Sequence, residues 1–364
     1  MPRMFAPALV AMALFASVAR TQEMPPRPSL AKGADRNDWE AYYDAGVEML
    51  ERHPTSADAA FLWAARLRPD RAEAPYARWI AFWATDVGRF EEYLHGEDKV
   101  LRDPLVLRAD SLKARAFRHN PFLHPGLVVF LYDRLPGRFR DDEVTRGWIS
   151  LGNGQLHVAL DRFGHVIARD PKTYGYLRFV RASAFVNDKQ YDSAAAELTT
   201  LLAQLRTEDE KVLGNGYESK EMLEYASGLL QLQSARMGPA RLAFQRALTE
   251  NPGFAPAHAW LGRIALDARD TATALSEYRQ AVEIEPDDTG GLLGLGRALL
   301  AANHPREAVI QFQKVIALEP YFADGYYYLS AALETAGDKA GSATQLAAFV
   351  ERATRNDPRR PPAP

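Results

Sequence analysis

Prolines stand at 252, 286 and 320, one every 34 residues, and other columns keep the same step. Gly228, Gly262, Gly296 and Ser330 form one column. Twelve residues on come Ala240, Ala274, Ala308 and Ser342. Four beyond those stand Phe244, Tyr278, Phe312 and Leu346, and three further Ala247, Ala281, Val315 and Phe349. A chain that repeats itself at this interval is constrained to stack copies of one small unit, because a single unit cannot bury its own apolar face.

Each column has a packing reason. Ala274, Tyr278 and Ala281 are spaced i, i+4, i+7, one face of a helix, and Leu261 and Ala265 lie four apart beside Gly262. Small residues at Gly262 and Ala274 allow two helices to approach, and the ring of Tyr278 fills the space beside them. Breaks fall between the halves at "MGP" (237–239), "RDT" (269–271), "NHP" (303–305) and "GD" (337–338). Gly238 suits a left-handed helix end, and Pro239 and Pro305 suit a first helical turn. The closing prolines lack an N–H and bias the residue before them away from helix, so they punctuate the units.

Over 221–353 these columns resemble the tetratricopeptide repeat, with its small–small–aromatic–small–proline signature. The resemblance implies an all-α fold, a right-handed superhelical solenoid of antiparallel helix pairs. It reaches backwards with less fidelity: Gly46, Ala57, Phe61, Ala64 and Pro69; Gly147, Ala159, Phe163, Val166 and Pro171; Ala182, Ala194, Leu198 and Leu201. The interval from Ala194 to Ala240 is 46 residues, and the excess falls in "RTEDEKVLGNGYESK" (206–220), read as a longer helix or polar loop. Residues 72–139 depart most from the pattern, and eight or nine helical pairs are expected in all. The last helix, about 339–354, has a polar side that suits a solenoid end.

The first residues, "MPRMFAPALVAMALFASVARTQ", read as a secretory signal: a short positive start, a run of apolar residues from Phe5 to Val18, and small residues at Ser17 and Ala19. The run is shorter than a spanning helix needs, so cleavage after Ala19 and a periplasmic or secreted chain with no membrane span in its mature part are expected. The chain divides into a signal peptide (1–19), an extended linker (20–36, with "EMPPRPSL"), degenerate repeats (37–220), regular repeats with a terminal helix (221–354) and a disordered tail (355–364).

The net charge of -3 and the pI near 6.3 give no basic excess that would suggest nucleic acid. The absence of cysteine excludes disulfides, a thiol nucleophile and a cysteine zinc site. His119 and His124 are five apart beside prolines, and His157 and His165 eight apart, which is not the spacing of helical metal ligands. "LGNGQ" (151–155) is a lone GxG and reads as a turn. No catalytic motif and no cofactor site is expected.

The resemblance implies that the first helix of each pair lines a concave face. Tyr225, Leu232, Arg263, Leu266, Leu293, Arg297, Leu300 and Tyr327 fall there, a leucine and tyrosine floor with two arginines one repeat apart that could pair with acidic groups of an extended or helical peptide. The blander reading is that the arginines are solvated and the leucines only pack. One type of family member reads a peptide's terminal carboxylate with lysines and asparagines; Ala259, Arg263, Leu293 and Arg297 stand here instead, so that clamp is not implied. "YYY" (326–328) is either an interface patch or, for at least one ring, core. The expected function is a non-catalytic scaffold for a protein or peptide partner. The alternative is an enzyme or small-ligand binder with a site in 72–139, among His95, His119, His124, Trp79, Trp83 and Asp133.

Overall fold

A computed structural model describes residues 25–94, 96–123, 126–135, 142–207 and 218–361. The signal sequence, His95, His124 and most of the 206–220 insertion lie outside these residues. Among the described residues the regular structure is helical throughout, and no helix is long and apolar enough to cross a membrane.

Helices α1 (Trp39–Leu50) and α2 (Pro54–Leu67) form the first antiparallel pair. Five further helices depart from pairing: α3 (Glu73–Ala84), α4 (Val87–Leu94), α5 (Asp98–Leu101), α6 (Pro104–His119) and α7 (Gly126–Tyr132). Pairing resumes with α8 (Glu143–Gly152) and α9 (Leu156–Arg169). After the short α10 (Pro171–Tyr174) come α11 (Leu177–Asn187) and α12 (Tyr191–Thr207). The regular array then runs α13 (Lys220–Gln233) with α14 (Met237–Glu250), α15 (Ala255–Asp267) with α16 (Thr271–Ile284), α17 (Thr289–Ala301) with α18 (Pro305–Leu318), and α19 (Ala323–Thr335) with α20 (Lys339–Arg352). These are seven regular pairs among the described residues; the five helices α3 to α7 form no regular pairs, α3 packing on α2, α6 and α7.

Within a pair the aromatic ring of the second helix lies directly on the glycine of the first. A Cβ added at Gly46, Gly147, Gly228, Gly262 or Gly296 would strike the ring of Phe61, Phe163, Phe244, Tyr278 or Phe312 respectively. Glycine here is a requirement of close approach, and it outweighs the helix propensity it sacrifices. In the last pair the two small columns meet directly, Ser330 Oγ and Ser342 Oγ being 3.1 Å apart.

The turn inside each unit is set by one left-handed residue: Ala235, Arg269, Asn303 and Gly337, with φ of 55°, 61°, 61° and 90°. Gly238 is therefore not the helix-ending residue that its composition suggested; it lies inside α14, and Ala235 takes the strained position. Pro305 does open α18. The residues before the closing prolines, Asn251, Glu285 and Glu319, have ψ between 77° and 99°, as a following proline requires.

The described residues of the divergent stretch 72–139 build an aromatic core. Trp79 and Trp83 are 5% and 1% exposed, pack on Phe90 and Tyr93, and Trp79 Nε1 donates to Asp110 at 3.0 Å. Trp79 and Trp83, two residues of the alternative site, are thus structural.

The first and last described segments meet. Arg66 pairs with Glu319 at 2.7 Å, and the Trp63 and Tyr321 rings meet edge to face at 4.8 Å. The Arg27 guanidinium lies over both rings. Asn37 donates to the Glu351 and Ala353 carbonyls, and the Arg355 N–H donates to Asp35 at 2.6 Å. Residues 25–36 are accordingly not a free linker, and α20 is not a bare solenoid end. Residues 355–361 depart from the expected disorder in the same way: Arg359 pairs with Asp324 at 2.7 Å, and Arg360 donates to the Val350 and Ala353 carbonyls.

Replacing Phe312 by Ala should cost about 3–5 kcal/mol of stability in urea titrations, as for other buried rings. Replacing Arg66 by Ala leaves the nearly buried Glu319 with only Arg115, at 3.6 Å, and should raise hydrogen exchange in 25–67 while leaving α15 and α16 unchanged.

Candidate partner-binding face

The concave positions of the regular array fall into three stretches with different fates. At α13 the floor is already covered by the chain itself. Tyr225 is wholly buried, its hydroxyl donates to the Arg118 carbonyl and accepts from Trp260 Nε1 at 3.1 Å. Arg118 continues to Glu285 at 2.5 Å, and Arg115, one turn earlier on α6, reaches Glu319. The C-terminal turn of α6 thus runs across the rim of three units. Tyr225 is not an open groove residue, and the reason is the non-repetitive helix α6, which the column pattern cannot place.

Beside this contact is a cleft of about 380 Å³. Its array wall includes Leu229, Leu232 and Trp260; its opposite wall is Asp70 to Glu73 together with His119, Asn120 and Phe122. Leu232 is therefore in a cavity, but one whose far side is built by the N-terminal half. Burial pushes the His119 imidazole down, so it is neutral at pH 7 and adds no charge to the cleft. Among the described residues no group of acids and histidines is arranged to hold a metal.

At the other end, α19 is covered by the chain's last residues. The Arg359 guanidinium lies 4.9 Å from the Tyr327 ring centre and pairs with Asp324, both on the concave face. The three tyrosines of "YYY" are all engaged. Tyr326 donates to the Pro320 carbonyl, Tyr327 packs on Phe349, and Tyr328 stacks on Phe312. Tyr327 is half-buried under Arg359, so it closes the groove rather than extending it.

Between these covers the middle of the face stays open. Arg263 is exposed, and Leu266, Leu293, Arg297 and Leu300 are half-buried. Arg263 lies 5.6 Å from the Trp260 ring and only 3.8 Å from Asp267, a weak pair at such exposure. Arg297 lies 5.6 Å from the Tyr328 ring and pairs with no carboxylate among the described residues. The structure thus leaves five of the eight expected residues exposed or half-buried on α15 and α17. It sets Tyr225 and Tyr327 under covers and Leu232 in the adjoining cleft.

The tetratricopeptide repeat model matches residues 225–289 and 293–361, and a second model of the same repeat matches 265–320. Residues 225–361 are tetratricopeptide repeats. No curated protein matches the chain. Solved structures similar to it include YrrB, described as a TPR protein with an unusual peptide-binding site, at 19% identity over 52% of this chain and 91% of that one, TM-score 0.42. MamA from Desulfovibrio magneticus is similar at 17% identity, 49% and 93% coverage and TM-score 0.42. The C-terminal part of a TPR repeat-containing protein from Cytophaga hutchinsonii is similar at 15% identity, 57% and 77% coverage and TM-score 0.46. The repeats over residues 225–361 support a protein-interaction scaffold.

Replacing Tyr225 by Phe would remove the hydrogen-bond partner of Trp260 Nε1–H and of the Arg118 carbonyl. The loss should be about 1–3 kcal/mol, read by urea denaturation, together with a change in tryptophan fluorescence.

Proposed function

We propose that the chain is an exported, non-catalytic scaffold that holds a segment of a partner protein along the open middle of its concave face. Export rests on the leader-like first residues, with cleavage after Ala19 into the periplasm or the exterior. The observation that carries the binding role is the window itself: two arginines one repeat apart, over a strip of Leu266, Leu293 and Leu300, left uncovered where the faces on either side are covered. Apolar contact supplies affinity there, and the cations supply orientation and choice of partner. Specificity resides in side chains of an array built for display, and the aromatic packing of Trp79 and Trp83 favours this reading over a small-ligand site in 72–139.

The test is crosslinking and affinity capture in the exporting cell. The recovered chain should begin at Arg20 and bring down a reproducible partner, and changing Arg263, Leu266, Arg297 and Leu300 together should abolish its recovery. A partner recovered equally by the changed protein would reject the groove, and a chain retained in the cytoplasm with residues 1–19 intact would reject export.

A further inference from the structure

The unit made of α15 and α16 breaks the aromatic pattern of its neighbours at the centre of the open window. Phe244 stacks on Trp260 of the following unit at 6.1 Å, and Phe312 stacks on Tyr328 of the following unit at 5.7 Å. In both cases the ring is phenylalanine and the position it meets is aromatic. Between α16 and α17 both residues change: the ring is Tyr278, and the residue in the column of Trp260 and Tyr328 is Gly294.

The two changes fit each other. A Cβ at Gly294 would fall 2.5 Å from Tyr278 Cζ, and on the opposite edge a Cβ at Gly262 would fall 2.8 Å from Cδ2. The ring is held between two glycines, and the end that carries the hydroxyl passes where an aromatic side chain stands in the neighbouring units. Although Tyr278 is only 4% exposed, its hydroxyl makes no hydrogen bond among the described residues and is not sealed from solvent. Arg263 and Arg297 occupy the same column one unit apart, on the two first helices that flank this notch, and the units on either side carry Leu229 and Ala331 there. Burial raises the pKa of the Tyr278 hydroxyl, while Arg297 and Arg263 act to lower it and Asp267 acts to raise it.

We propose that Tyr278, Arg263 and Arg297 form an anion site in the open window, and that it binds a side-chain carboxylate of an acidic, leucine-bearing peptide segment of the partner. This deepens the scaffold reading and rests on it. The phenol donates one hydrogen bond, each guanidinium offers a charge-assisted pair, and neither arginine must surrender a strong carboxylate partner to do so. Leu266 and Leu300, one turn along from each arginine, receive the apolar residues of the segment. Glutamates of this chain already pair with arginines where the N-terminal half meets the array, at Glu285 and Glu319, so the same chemistry is used there with the charges exchanged.

Three probes test this on the full chain by fluorescence anisotropy: a labelled octapeptide of alternating leucine and glutamate, its leucine–glutamine counterpart, and unlabelled inorganic phosphate as a competitor. The glutamate peptide should bind at least about tenfold more tightly than the glutamine peptide. Tyr278→Phe, which installs the ring that Phe244 and Phe312 already use, should preserve the melting temperature. It should weaken the glutamate peptide about tenfold while leaving the glutamine peptide unchanged. Arg297→Gln should do at least as much. Equal binding of both peptides, or unaltered binding of the glutamate peptide by Tyr278→Phe, overturns the site. Phosphate that competes as effectively per mole as unlabelled glutamate peptide overturns the peptide carboxylate as its ligand. A cellular partner lost from the fourfold groove variant while the peptides bind indifferently removes the anion site and keeps the scaffold; selective peptide binding with no such partner does the reverse.

Discussion

Contact between one aromatic ring and one glycine sets the geometry on which everything else in this molecule depends. Phe61, Phe163, Phe244, Tyr278 and Phe312 each lie against a glycine of the preceding helix at a distance that leaves no room for a methyl group. The ring supplies the apolar area that a short helix pair lacks, and the glycine sets how near the pair can come. Because the ring also reaches the next unit, as Phe244 does at Trp260, the same contact both makes a pair and stacks it. The left-handed residue that turns each pair, from Ala235 to Gly337, is tolerated because this packing overdetermines it.

The second level of organisation is closure, and its chemistry is different. Where α2 meets the last units, the contacts are arginine–carboxylate pairs, carbonyl hydrogen bonds and one stacked group of Arg27, Trp63 and Tyr321. Such a polar interface resembles the contact between domains more than a continuous core. Its effect on function is subtractive. In the array of four units, α6 covers Tyr225 at one end and Arg359 covers Tyr327 at the other, and in the proposed reading the two units between them receive the partner.

The array was legible in the sequence because it is periodic: Gly262, Tyr278 and Pro286 announce their contacts by recurring, and Arg263 and Arg297 share a column in the same way. Closure was not legible. Asn37 and Ala353, or Arg118 and Tyr225, are joined across separations of 316 and 107 residues by groups that belong to no repeat, so spacing carries no signal for them. Gly238 misled because composition favours glycine for a left-handed turn, whereas the register of the pair puts the turn at Ala235. Tyr278 is core, as its column demands a ring. What sets it apart is a coincidence of departures, tyrosine for phenylalanine and Gly294 for an aromatic, at the interface flanked by the two arginines.

In the proposed reading, the partner site is what remains when a repeat array is folded back on itself. The cysteine-free sequence allows that folding-back to be measured cleanly. Nitroxide labels on cysteines placed at Arg36 and Glu351, both exposed and on segments joined by the Asn37 hydrogen bonds, report the separation of the two ends by pulsed electron resonance. A closed molecule should give one short, narrow distance distribution. A broad distribution centred on long separations would show an open solenoid with its concave face uncovered from end to end, and would contradict the account.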